Sequence, residues 1–178
     1  IYPYENQMFV VKMSGREIKD YLEVSYAQWI NTLTPAQLSR PISDASPALL
    51  KIVNQPDPRT SRQSWSFQNR SYNFDSAAGI NYTVDVTKPS GERISISSMA
   101  DGAVFDFARE YNVAMTSYRA CGGGGLLHAI GIDTSDIDSR IVARLPEYRN
   151  ILYSYLQSHP VLTSEELGDT SVTGTWKF

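Results

Sequence analysis

A chain of 178 residues, 42% of them hydrophobic, can bury a core and fits a single domain over 1–178. Its formal net charge of −3 leaves no footprint for a nucleic-acid polymer, which needs a clustered basic face, although a single nucleotide needs only a few local donors. One cysteine, Cys121, excludes an internal disulfide, and no apolar run approaches the roughly 20 residues of a membrane span.

Ile1-Tyr2-Pro3-Tyr4 runs almost directly into an apolar segment, so the chain reads as N-terminally truncated, a piece of something longer. Gln7–Met13 is a strand candidate through Met8-Phe9-Val10-Val11. Ser14 followed by Glu17 forms a capping box. It opens a helix whose buried stripe is Ile18, Tyr21, Leu22, Ser25, Tyr26, Trp29 and Ile30. From about 34 to 70 the character changes: Pro35, Pro41, Pro47, Pro56 and Pro58 interrupt a polar stretch, with room for a short helix over Pro47–Val53. So long a structureless segment is a surface insertion or a functional loop. In the second case it is a flap bringing Arg59, Arg62 or Arg70 near a phosphate.

Ile80, Tyr82, Val84 and Val86 alternate along Gly79–Thr87, a strand. Lys88-Pro89-Ser90-Gly91 turns the chain, and Arg93–Ser97 returns as the second arm of a hairpin. Asp101-Gly102 is a further turn, Tyr111–Thr116 a further strand, and Leu126–Ile130 a short helix. Pro146–His159 reads as a helix with Ile151, Leu152, Tyr155 and Leu156 inward, stopped by Pro160, and Thr175–Phe178 as a last strand. Helices interleaved irregularly with hairpins predict an α+β domain with a mixed sheet.

Two stretches place a tyrosine where regular structure gives way to a loop. One is Ser71-Tyr72-Asn73-Phe74-Asp75; the other runs from Val113 through Tyr118 and Arg119 to the glycines 122–125. Two rings offered from separate loops can sandwich one flat ligand, and the alternative for each is a half-buried rim position among eleven tyrosines. Asn73 and Asp75 suit either a base edge or an ordinary turn. Arg119 suits a phosphate or is a surface charge. Gly122 and Gly123 remove side-chain bulk, so backbone can approach a ligand or connect flexibly to Tyr118. No Gly-Lys-Ser/Thr follows, so the run is not a phosphate P-loop. Cys121 as a nucleophile lacks a histidine nearby in sequence; His128 and His159 are the only two, and Asp133, Asp136 and Asp138 have the wrong spacing for a calcium loop. Nothing here supplies the clustered ligands of a two-metal centre.

Tyr-Asn-Phe-Asp at 72–75, Gly-Ile-Asn-Tyr-Thr-Val-Asp-Val-Thr at 79–87 and Tyr-Arg-Ala at 118–120 before the glycines resemble the C-terminal domain of the 5'-nucleotidase family. The opening Tyr2–Asn6 and the segment Val11–Lys19 are similar to the start of that domain, and the tyrosine-bearing versions to its bacterial 2',3'-cyclic-nucleotide 2'-phosphodiesterase/3'-nucleotidase branch. The resemblance implies a substrate-recognition domain in which Tyr72 and Tyr118 stack a base, with Asn73, Asp75, Arg119, Gly122 and Gly123 around it. It also implies that no catalytic or metal-binding residue lies in this chain. A separate N-terminal metallophosphoesterase domain would hold two divalent metal ions, and the fragment alone would be inactive. The ligand expected is a small nucleotide or nucleoside, with no nucleic-acid polymer, and the location periplasmic or cell-surface. Where the 5'-nucleotidase branch proper has an aspartate, this chain has Gly124. The rival readings are a non-catalytic carbohydrate-binding or interaction module using the same tyrosines, and a thiol hydrolase using Cys121.

Overall fold

The computed structural model describes residues 2–39, 49–57, 59–161, 163 and 176–177. Strand β1, Gln7–Ser14, is the spine of the first sheet. It lies between β6 (Glu110–Thr116) and β7 (Ile141–Glu147), antiparallel to both. Phe9, Val11 and Met13 alternate toward a core shared with Met115, Ala120, Leu127, Ile132 and Ile137. The helix α1, Gly15–Trp29, begins at once because Ser14 and Glu17 close the capping box in both directions. Gly15 is required by packing: a Cβ there would stand 2.4 Å from the Asp106 carbonyl oxygen.

Leu22 and Tyr26 on α1, with Ile30 just past its end, pack against Ile80, Tyr82 and Val84 of β4 (Ile80–Val84) and Ile94 of β5 (Ile94–Met99). Ile18 touches both cores, so α1 is the wall between them. β4 pairs with β5 antiparallel and with β8 (Trp176–Lys177) parallel. The α+β class is observed, and among the described residues the mixed pairing is confined to this one of three small sheets.

The proline-rich segment contains more structure than expected. Thr34 caps the short helix α2, Pro35–Leu38, through its own capping box with Gln37. The helix expected over Pro47–Val53 falls partly outside the described residues; from Ile52 the chain is strand β2 (Ile52–Pro56), hairpinned to β3 (Gln63–Phe67). A backbone hydrogen bond from the Lys51 N–H to the Trp29 carbonyl and a tilted ring contact of Phe67 with Trp29 at 4.8 Å dock this hairpin on the end of α1.

Short helices α3 (Ser117–Ala120) and α4 (Leu126–Ala129) follow β6 and flank the glycine run. β7 has no counterpart in the sequence-based expectations. Its residues do not alternate cleanly, and Pro146 suits an edge strand, where a missing N–H costs no ladder bond. The last helix, α5, spans Tyr148–Ser158. Leu152 and Tyr155 are exposed, against the inward placement expected, while Ile151 and Leu156 are half-buried. Glu23 reverses the usual preference: it is buried beside Leu22 because its carboxylate accepts from the backbone N–H of Gly91 and Ile94 and from Lys19.

Candidate functional site

A cleft of about 1020 Å³ opens between the β6–β1 edge, the α1 side chains Ile18 and Tyr21, and the loop 72–80. Tyr72, Asp75, Tyr118 and Arg119 all line it. Tyr72 sits in a single 3-10 turn, Ser71–Asn73, and Tyr118 in the first turn of α3, which Thr116 caps. Both rings are exposed, 51% and 43%, and they make no ring contact with each other. Arg70, outside the lining, donates from Nη1 to the Tyr72 hydroxyl at 2.8 Å. Arg59 and Arg62 lie in the turn of the β2–β3 hairpin and are not among the residues lining the cleft.

Arg119 is neither the surface charge nor the open phosphate contact that the sequence allowed. Its side chain is 6% exposed, and all five of its N–H donors are used. Nε donates to Asp75 Oδ2 at 2.7 Å and Nη2 to Asp75 Oδ1 at 2.9 Å. Nη2 also donates to the Tyr72 carbonyl at 2.7 Å, and Nη1 to Asn73 Oδ1 at 3.1 Å and the Gly123 carbonyl at 3.0 Å. Burial works to lower the guanidinium pKa, but the hydrogen bonds and charge of Asp75 outweigh it and leave it raised.

Asp75 is held equally firmly. The Tyr21 hydroxyl donates to its Oδ2, and Ser25 Oγ bridges its backbone N–H and carbonyl at 2.8 and 2.7 Å. Burial first, then the charge of Asp75 and the hydrogen bond to it, push the Tyr21 phenol far above its ordinary value, so it stays a donor. Asn73 gives its oxygen to Arg119 and is not among the residues lining the cleft.

The glycine run is ordered. It is a folded 3-10 turn, Gly123–Gly125, with Gly122, Gly124 and Gly125 at φ +94°, +76° and +72°. Gly122 and Gly123 do not line the cleft; instead they are pressed against protein. A Cβ on Gly122 would stand 2.9 Å from Thr134 Oγ1, and one on Gly123 2.5 Å from the Tyr118 ring. The close approach that these glycines permit is to Tyr118 and Thr134.

Sequence reasoning missed a second aromatic group on the same cleft. Tyr2, Tyr4 and Tyr148 line it, with Tyr2 centred 5.6 Å from Tyr4 and 5.5 Å from Tyr148. The only local signal was the density of tyrosine in Tyr2-Pro3-Tyr4; Tyr148 arrives from the far end of the chain through β7. Cys121 is exposed at the C-cap of α3 and outside the lining. His159 stacks on Tyr155 at 4.1 Å, on a different element from His128 in α4. Among the described residues no group of three or more His, Cys, Asp and Glu side chains is placed to hold a metal ion.

Comparison with known proteins agrees with this architecture. The family model of the 5'-nucleotidase C-terminal domain matches residues 1–130. The trifunctional nucleotide phosphoesterase protein YfkN of Bacillus subtilis is 32% identical over 168 residues, covering 88% of this chain and 10% of its own length. A 2',3'-cyclic-nucleotide 2'-phosphodiesterase/3'-nucleotidase of Haemophilus influenzae is 29% identical over 192 residues, covering all of this chain and 24% of its own length. The chain thus spans at most about a quarter of these curated relatives. A crystal structure named as a 5'-nucleotidase of Staphylococcus aureus superposes with a TM-score of 0.55 at 23% identity, over 88% of this chain and 25% of that one, a likeness of fold.

Proposed function

The chain belongs to the 5'-nucleotidase C-terminal domain family, and from that membership we propose that it is the base-recognition part of a larger phosphoesterase. The larger protein hydrolyses 2',3'-cyclic nucleotides and 3'-nucleotides, or 5'-nucleotides, to nucleoside and phosphate. Tyr72 and Tyr118 stack the two faces of the base. Two divalent metal ions, held by a separate N-terminal metallophosphoesterase domain, supply the activated water and the charge stabilisation. A periplasmic or cell-surface location belongs to the same proposal.

One observation carries the reading: two exposed tyrosines from elements 46 positions apart in sequence border one cleft, joined behind by Arg119. Magnitudes limit what this chain does alone. Base–aromatic stacking is worth about 1–3 kcal/mol per base, so two faces supply about 2–6 kcal/mol at most. A millimolar dissociation constant already needs about 4.1 kcal/mol. Nucleoside binding is therefore expected to be weak, with the phosphate held elsewhere, since Arg119 has no donor left for it.

The test is titration of the chain with adenosine, 3'-AMP and simple sugars while following tyrosine fluorescence. The expected result is saturable quenching by adenosine that falls by about 5- to 150-fold in affinity in Tyr72→Ala and in Tyr118→Ala, the equivalent of one stacking face. Quenching by sugars and not by nucleosides would instead support the carbohydrate-binding reading and overturn this one.

A further inference from the structure

We infer that Arg119 is the positioning residue of the base site: its buried guanidinium sets the gap between the two tyrosine platforms, and position 124 must lack a side chain for it to do so. The inference rests on the reading of Tyr72 and Tyr118 as a stacking pair and adds what holds that pair apart.

Four of the five Arg119 hydrogen bonds go to residues 72–75, and one of these grips the backbone of Tyr72 itself. The fifth returns to the Gly123 carbonyl, in the turn that lies against the Tyr118 ring. Tyr118 is the chain neighbour of Arg119, so one side chain ties both platforms together across 46 residues. Neither loop moves relative to the other without breaking bonds to a charged group that is 6% exposed. The slot is therefore set before ligand arrives, and binding does not have to order two loops.

Lysine cannot replace this arrangement. The planar fork of arginine makes two parallel bonds to Asp75 while its other N–H groups reach three further acceptors; an ammonium has three donors on one atom. Position 124 is the counterpart. A Cβ on Gly124 would stand 2.3 Å from Arg119 Nη1 and 2.8 Å from Asn73 Oδ1, in a backbone conformation, φ +76°, that L side chains rarely adopt. A side chain at 124 and the guanidinium in its present seat exclude each other.

The experiment measures adenosine affinity in the chain and in Arg119→Ala, Arg119→Lys and Gly124→Ala, with thermal unfolding recorded alongside. At a temperature where each variant is folded, Arg119→Ala is expected to lose about 5- to 150-fold in affinity, the equivalent of one stacking face. Millimolar guanidinium should restore part of that loss, whereas urea at the same concentration should not. Arg119→Lys should stay weak. Gly124→Ala, which removes no charge and no donor, should lose affinity to a similar degree, and it decides the matter if Arg119→Ala does not fold. A folded Arg119→Ala with the parent's affinity overturns the inference, as does Gly124→Ala binding like the parent. A parent that binds no nucleoside overturns the base-site reading and this inference with it, whereas a binding parent matched by both variants overturns the inference alone.

Discussion

Asp75→Asn is the sharpest probe of the network behind the cleft, because it changes one atom and leaves the shape intact. In the parent, Oδ1 accepts from Arg119 Nη2, and Oδ2 accepts from Arg119 Nε and from the Tyr21 hydroxyl. An amide presents an NH2 group at one of these positions, so a donor faces a donor whichever way it is turned. The guanidinium, 6% exposed, also loses its counter-charge. Removing one partner of a buried ion pair costs about 3–5 kcal/mol. Asp75 is itself 26% exposed, and solvent reaches part of the vacated site; the low end, about 3 kcal/mol, is therefore expected. For a chain of this size that lowers Tm by about 6–12 °C, at about 2–4 °C per kcal/mol. Urea unfolding should show a lower midpoint at unchanged slope, marking a loss of stability without a change in the surface exposed. An Asp75→Asn protein within about 0.5 kcal/mol of the parent would refute the reasoning, since that is the scatter of an ordinary surface substitution.

Tyr21 makes stability sensitive to alkali. Its folded pKa lies above the ordinary 10.0, so its contribution is whole below pH 10.0 and is lost as pH rises toward the folded value. Tyr26 and Tyr82 are shifted in the same direction, and Tyr21→Phe should therefore flatten the fall in urea midpoint above pH 10.0 without abolishing it; a slope identical to the parent's would count against the Tyr21–Asp75 bond. Gly123→Ala places a methyl 2.5 Å from both the Tyr118 ring and the Tyr118 carbonyl oxygen, so the ring and its backbone must shift. Adenosine affinity should drop by up to the about 5- to 150-fold that one stacking face is worth, and an unchanged titration would mean the ring is not a platform. Ser14→Ala removes the cap that starts α1 and should cost about 1 kcal/mol, read as a Tm lower by about 2–4 °C with nucleoside binding unaltered at a temperature where the protein is folded.

Local pattern alone was enough for the elements whose cause is local. The alternation in β1 and β4, the Ser14–Glu17 box and the helical stripe of α1 are each written in consecutive residues, because backbone period and capping depend on near neighbours. Tyr72 and Tyr118 were legible as loop-edge aromatics for the same reason. What required tertiary structure was everything joining distant segments. β7 is a strand because β1 needs a second partner, despite its own ragged pattern. Glu23 is buried because a turn some seventy residues away supplies its donors. Arg119 looks like any exposed arginine until folding brings residues 72–75 around it and spends all five of its donors. A charge, unlike a hydrophobic period, takes its meaning from the partners that surround it in space, and those partners lie far along the chain.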